Sequence, residues 1–240
     1  MRSIAAIAGR ELGAMFRTPV GWIVTALYTL LTAVVFTMQE VRPGEPATLR
    51  SFFAPSAWLL IVVAPAVSMR LFSEEFRSGT VEPLLTAPVS RLGVMLGKYA
   101  GAAAFIVCML IPTLAYPALL AWAADGPIDW GAVASGYVGL VLVALVYLAV
   151  GTLVSTTTDS QVLAFLVTLI VLLLVMIASG PGALRAPVRL APILAEFSVP
   201  RRAANFARGV VETKDAVALL AASGWMLALA WVSLMLREGR

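Results

Sequence analysis

Residues 133–154 read VASGYVGLVLVALVYLAVGTLV, residues 155–160 read STTTDS, and residues 161–179 read QVLAFLVTLIVLLLVMIAS. Asp159 is the one charged residue in this stretch. Each apolar run is close to the ~20 residues that a helix needs to cross the hydrocarbon of a bilayer. A polar link this short joins antiparallel neighbours, so 133–179 reads as a transmembrane hairpin.

Four more runs of the same kind flank it. Residues 19–38 (PVGWIVTALYTLLTAVVFTM), 52–69, 99–122 and 216–236 complete a set of six predicted spans. Pro55 and Pro65 fall in the second span and Pro112 and Pro117 in the third. In a helical bundle, neighbouring helices or water can satisfy carbonyls freed by proline, so these residues predict kinks rather than ends. The fold class that follows is all-α: a polytopic transmembrane bundle of six helices, forming one domain over 1–240 without a soluble domain. Composition agrees. The chain is 61% hydrophobic and 12% charged, against about 45–50% and 25% in soluble domains. So few charges cannot furnish a water-facing surface. All 17 Lys and Arg and all 13 Asp and Glu fall outside the apolar runs as bounded here.

Ahead of the first span, Ile4, Ile7, Ala8, Leu12, Met15 and Phe16 repeat at helical spacing, with Ser3, Arg10 and Arg17 on the other side. The pattern predicts an amphipathic helix over 3–17 lying at the membrane surface with its arginines toward headgroups. The long apolar run that follows lacks a small-residue cleavage site, so this is not read as a signal peptide. Gly93, Gly97 and Gly101 step by four into the third span. They mark either a close helix approach or chance spacing in a glycine-rich chain.

Positive charge near the first span places the N-terminus in the cytoplasm: Arg2, Arg10 and Arg17 precede it, whereas Arg42 and Arg50 beyond it are balanced by Glu40 and Glu45. An even number of spans returns the C-terminus, with Arg237 and Arg240, to the same side. Segment 70–98 is then cytoplasmic and the segments around Asp125 and 180–215 external. The last of these holds Arg185, Arg189, Arg201, Arg202, Arg208 and Lys214, so the whole-chain count is nine basic residues inside against eight outside. The orientation rests on the first span and the short loops.

Several chemistries are excluded. The net charge is +4, but the arginines are scattered over short links with no aromatic-lined basic stripe, so nucleic acid is not an expected partner. The absence of histidine removes Ser-His-Asp and Cys-His catalysis, HExxH zinc sites and histidine-ligated haem. Cys108, the single cysteine, lies in an apolar run and cannot form an intramolecular disulfide. Ser179 in ASGPG has no nearby base to activate it and reads as part of a helix stop. No catalytic site, metal site or cofactor site is expected in this chain. A proton- or ion-coupled carrier usually has an ionisable group inside a span, and none falls within these six. GxxxxGK[ST], the nucleotide-cradling loop, is also missing, so active transport would draw its energy from another subunit.

Segment 70–98, RLFSEEFRSGTVEPLLTAPVSRLGVMLGK, is where such a subunit would dock. Leu71, Phe72 and Phe76 offer an apolar side, with Glu74, Glu75 and Arg77 expected to be exposed. Gly79 can end a short helix, and Ser90 can cap a second one leading into the third span. The segment reads equally as a docking elbow or as a solvated linker.

FSEEFRSGTVEPLLTAPVSRLGVMLGKYAG, residues 72–101, resembles the signature between the second and third spans of ABC-2 type transporter permeases, most nearly those of the gliding-motility-associated group. The pattern is an acidic pair, R-x-G-T, E-x-L-L-T-x-P-V-S and a closing G-K. Here it is carried by Glu74, Glu75, Arg77, Gly79, Thr80, Glu82, Leu84, Leu85, Thr86, Pro88, Val89, Ser90, Gly97 and Lys98. The late segment FSVPRRAANFARGVVETKDAVALLA matches the family in part, through Asn205, Phe206, Arg208, Gly209 and Val210, followed by Asp215. Pro83, Arg201 and Arg202 depart from the pattern.

The resemblance implies an exporter in the cell inner membrane. It would contain two permeases, identical or related, surrounded by membrane lipid, and two cytoplasmic ATP-binding cassette subunits that bind the ATP. Glu74, Glu75, Arg77, Gly79, Thr80 and Glu82 would belong to the ATPase-coupling helix, with the N-terminal helix as the interface helix beside it. The external segment would dip back toward the membrane. A non-transporting scaffold or assembly factor and an ion-coupled carrier are the alternatives. The first would have no ATPase partner, and the second would work without ATP.

Overall fold

The computed structural model describes residues 2–40, 48–78, 90–123, 127–179 and 198–238. The described residues form α1 (Arg2–Arg17), α2 (Pro19–Gln39), α3 (Arg50–Ser68), α4 (Ser73–Ser78), α5 (Arg91–Leu110), a 3-10 turn (Ile111–Leu114), α6 (Ala115–Ala123), α7 (Trp130–Thr157), α8 (Gln161–Ser179), α9 (Val199–Ala207) and α10 (Thr213–Glu238). Six stretches are long and apolar enough to cross a membrane: α2, α3 with its extension to Arg77, α5 through α6, α7, α8 and α10. The chain is an all-α, multi-pass membrane protein.

Local chemistry starts these helices where the sequence directs. Pro19 occupies the first turn of α2, where its missing N–H costs nothing. The Asp129 carboxylate accepts from the N–H groups of Gly131 (3.0 Å) and Ala132 (3.1 Å) at the head of α7. Ser90 caps α5 as expected, accepting from Gly93 N–H at 3.2 Å.

Small residues, not the most apolar ones, set what lies inside. The apolar stretch of α8 is the most hydropathic of the six yet only 28% buried, whereas that of α7 is 67% buried. α7 packs against α3, α5, α8, α9 and α10 and is the centre of the bundle. Without a hydrophobic force between helices in lipid, close packing decides the interior, and this favours the Gly, Ala and Ser of α7 over the Leu-rich α8. Several buried hydroxyls inside the spans are satisfied locally. Thr32 donates to Tyr28 O (2.8 Å), Ser56 to Phe52 O (2.7 Å), Thr152 to Leu148 O (2.8 Å) and Thr168 to Ala164 O (2.7 Å). Large side chains such as Trp22, Ile23 and Leu30 on α2, Val162 and Leu174 on α8, and Trp225 and Leu236 on α10 face outward. Lipid, not water, is the environment that accommodates such a surface.

As expected, none of the four prolines ends its span. Pro112 interrupts the third span with the 3-10 turn. There the Thr113 hydroxyl donates to Leu110 O (2.7 Å), and Tyr137 of α7 donates to Thr113 O (2.8 Å). Pro55 and Pro65 lie inside an unbroken α3.

The amphipathic N-terminal helix is present, with Ser3, Arg10 and Arg17 exposed. Its inner side packs along the first half of α5. A Cβ added at Gly97 would lie 2.8 Å from Ile7 Cβ, and one at Gly101 would lie 2.8 Å from Ala8 O, so the glycine step marks a close helix approach. Because the obstacle at Gly101 is backbone, Gly101→Val is expected to displace α1 and to destabilise the fold by about 1–3 kcal/mol. Thermal unfolding in detergent, beside Gly13→Val at a site with open space around it, measures the difference.

The helix capped by Ser90 runs without a break from Arg91 into the third span, so Lys98 lies inside α5 and is buried. α7 runs to Thr157, so Ser155 belongs to the helix and not to the polar link. α10 starts at Thr213, which puts Asp215 in its first turn. Of the segment expected to be external, 180–197 lies outside the described residues.

Candidate coupling site

The chain closes on itself at two places, one at each end of the bundle. At the elbow end, α3 gives way through Met69–Phe72 to α4, and α1, α5, α7, α8 and α10 have their termini nearby. Leu71 and Phe72 are buried as expected. Ser155, 0% exposed near the end of α7, accepts from Phe72 N–H at 3.0 Å and Ser73 N–H at 3.2 Å. The Ser73 hydroxyl in turn donates to Ser155 O at 3.2 Å. One serine thus fixes the start of α4 to the central helix through groups whose loss would leave buried donors unpaired.

Charge fixes the rest of α4. Lys98 is 3% exposed. Its ammonium donates to Leu71 O (2.7 Å), pairs with Glu75 Oε1 (2.8 Å), has Glu11 Oε2 of α1 at 3.9 Å, and lies 5.4 Å from the centre of the Phe72 ring. Glu75 was expected to be exposed with Glu74 and Arg77. Its side chain is instead 19% exposed and turned inward, because a buried ammonium requires a counter-charge. Glu74 and Arg77 are exposed. Glu74 pairs with Arg70 at 3.1 Å across a solvent-accessible helix turn, an arrangement worth only about 0.3–0.5 kcal/mol. The last turn of α4 meets α10, where the Arg237 guanidinium covers the Phe76 ring at 4.1 Å, donates to Thr156 O at 3.2 Å and pairs with Asp159.

Of the six residues named for the coupling site, Glu74, Glu75 and Arg77 share α4, while Gly79, Thr80 and Glu82 lie outside the described residues. The reading of the sequence missed Glu11, Lys98, Ser155 and Arg237. Glu11 had a signal: it falls on the apolar stripe of α1, between Ile7 and Met15. Lys98 had one also, as a lone cation continuous with an apolar run. Ser155 had none, because a serine beside STTTDS looks like a linker.

At the opposite end, α9 is folded against α7 and α3. Ser198 caps it, accepting from Arg201 N–H at 3.3 Å. Gly209, at φ +81°, ends it with Gly209 N–H on Phe206 O (3.0 Å) and Val210 N–H on Asn205 O (3.1 Å), the paired bonds of a glycine stop. Phe206 is fully buried, and Ser135 of α7 donates to its carbonyl at 2.8 Å. Asp215 is 3% exposed and holds α9 to α10 by accepting from Arg202 (2.5 Å) and Asn205 (2.8 Å). Arg202, a departure from the pattern that the sequence resembles, is therefore structural.

Among the described residues no three His, Cys, Asp or Glu side chains are grouped to hold a metal. Among the described residues Lys98 and Asp215 are the buried charges inside long helices, and each is ion-paired in the early turns of its helix rather than at mid-span. The arrangement at the elbow end ties α4 to α5, α7 and α10.

A family model described as ABC-2 family transporter protein matches residues 5–236. A search of curated proteins gave no match.

Proposed function

Because the chain belongs to the ABC-2 family of transporter proteins, we propose that it is driven by ATP hydrolysis in separate cytoplasmic subunits that dock at the elbow. The chain itself is a multi-pass permease subunit of a transport system. In the proposed assembly two permease copies, identical or related, pair with two ATP-binding cassette subunits in the cell inner membrane and export their cargo. The elbow end and both termini are cytoplasmic. Glu74, Arg77, Gly79, Thr80 and Glu82 form the contact with the ATPase, and Glu75 supports that contact from within. The motif at 72–101 supports extending the proposal to kinship with the gliding-motility-associated group.

The observation that carries this reading is the anchoring of α4. It is a six-residue helix with Glu74 and Arg77 exposed, yet Lys98 of α5, Ser155 of α7 and Arg237 of α10 all hold it. A solvated linker needs no such anchorage. A lever does, because a partner shifts the permease between states only if its displacement reaches the spans.

Two experiments test the reading. Charge reversal at Glu82→Arg is expected to reduce co-purification of the ATP-binding subunit by on the order of tenfold or more. Unchanged assembly together with unchanged lipid-stimulated ATP hydrolysis would remove the elbow from this role. In a Cys108→Ala background, Arg77→Cys is expected to react with a membrane-impermeant maleimide in inverted vesicles and not in right-side-out cells. The opposite pattern would reverse the topology.

A further inference from the structure

Lys98 reaches three separate elements at the elbow end by charge or hydrogen bond. It belongs to α5, bonds Leu71 O and Glu75 on the elbow, and faces Glu11 on α1. A cavity of about 200 Å³ lies between α1 and the elbow, lined in part by Glu11 and Met15 of α1, Arg70 and Glu74. α1 and α4 therefore border open space on this side, and the ammonium is the charge that reaches both. The geometry is also unequal. At 2.8 Å the Glu75 carboxylate makes a charge-assisted hydrogen bond, while at 3.9 Å the Glu11 carboxylate is attracted without one. Two carboxylates around a single ammonium carry excess negative charge, so removing the ammonium would turn their mutual attraction to it into repulsion between α1 and α4.

We propose that Lys98 is a positioning residue that fastens the elbow to α1 and α5, so that the three move as one body. What that motion serves rests on the coupling reading above; the fastening is a property of this chain alone. An apolar residue at 98 would remove the charged tie between α4, α1 and α5 while Ser155 and Arg237 still hold α4 to α7 and α10, so the separation of α4 from α1 would widen its range.

The test measures the fastening directly, on the full chain in lipid nanodiscs. Spin labels at Arg10→Cys and Arg77→Cys in the Cys108→Ala background report the distance between α1 and α4. A control pair at Val162→Cys and Leu236→Cys reports the distance between α8 and α10. Lys98→Met is expected to broaden the first distribution by about twofold or more and leave the second unchanged, since local opening does not spread to elements with their own contacts. Lys98→Arg, which restores the cation, is expected to return it toward the parental width. A purely structural role would broaden both pairs or neither.

If Lys98→Met does not fold, Glu75→Gln removes the α4 charge while leaving Lys98 bonded to Leu71 O, and broadening in the same direction is expected. An unchanged α1–α4 distribution in either folded variant overturns the proposal. Co-purification of the parental chain with its ATP-binding subunit separates the two ideas: its failure would sink the coupling reading, while the distance measurement still decides the fastening.

Discussion

Arg202→Met is expected to destabilise the folded chain by about 3–5 kcal/mol, the usual cost of removing one partner from a buried ion pair. The size of the effect follows from which partner remains. Asp215 is 3% exposed and the Arg202 side chain 12%, so the surviving carboxylate cannot recover water. Asn205 still donates to it at 2.8 Å, which places the loss toward the lower end of that range. Asp215→Asn should cost less, about 1–2 kcal/mol, because the arginine left behind lies nearer the surface and its long side chain can reach solvent. Arg202→Met with Asp215→Leu should recover much of the loss, since neither charge is then stranded. Thermal unfolding in detergent decides the matter: for a chain of this size each kcal/mol corresponds to roughly 2–4 °C. Equal midpoints for Arg202→Met and Asp215→Asn would show that the pair is not what holds α9 to α10.

Ser155→Ala should have a comparable but local effect. It removes one oxygen and strands two donors, the N–H groups of Phe72 and Ser73, at about 1–3 kcal/mol each. The penalty can be avoided by releasing the start of α4 to solvent, so the expected outcome is local opening of residues 69–78 and not loss of the bundle. Hydrogen exchange should quicken there by on the order of a hundredfold while α3 and α7 keep their protection. Ser155→Thr retains the hydroxyl and should behave like the parent. Uniform loss of protection across the spans would refute the idea that this serine acts only on the elbow. In the assembly proposed above, the same variant should weaken coupling while leaving the proposed ATPase contact residues intact.

The features that were legible in the sequence share a cause. The hairpin at 133–179, the amphipathic stripe of α1 and the cap at Ser90 each depend on residues close together in the chain. Hydrocarbon rejects unpaired backbone and charge wherever a span is placed, so an apolar run declares itself without knowledge of its neighbours. The glycine step at 97 and 101 was half legible: spacing announced a close approach but could not say that α1 was the partner. Glu75 was misjudged because an acidic pair at the start of a short helix looks solvated until a lysine far along the chain is brought against it. Ser155 was invisible for a similar reason, since its value lies in two N–H groups distant along the chain.

The sequence by itself determined the number of spans, the all-α class, the amphipathic N-terminal helix and the exclusion of histidine-based chemistry, because these follow from how each segment partitions between lipid and water. Only the tertiary structure decided that α7 is central, that Lys98 joins three elements, and that Asp215 clasps α9. Such relations come from close packing and charge pairing between residues far apart in the chain, and no single segment carries them.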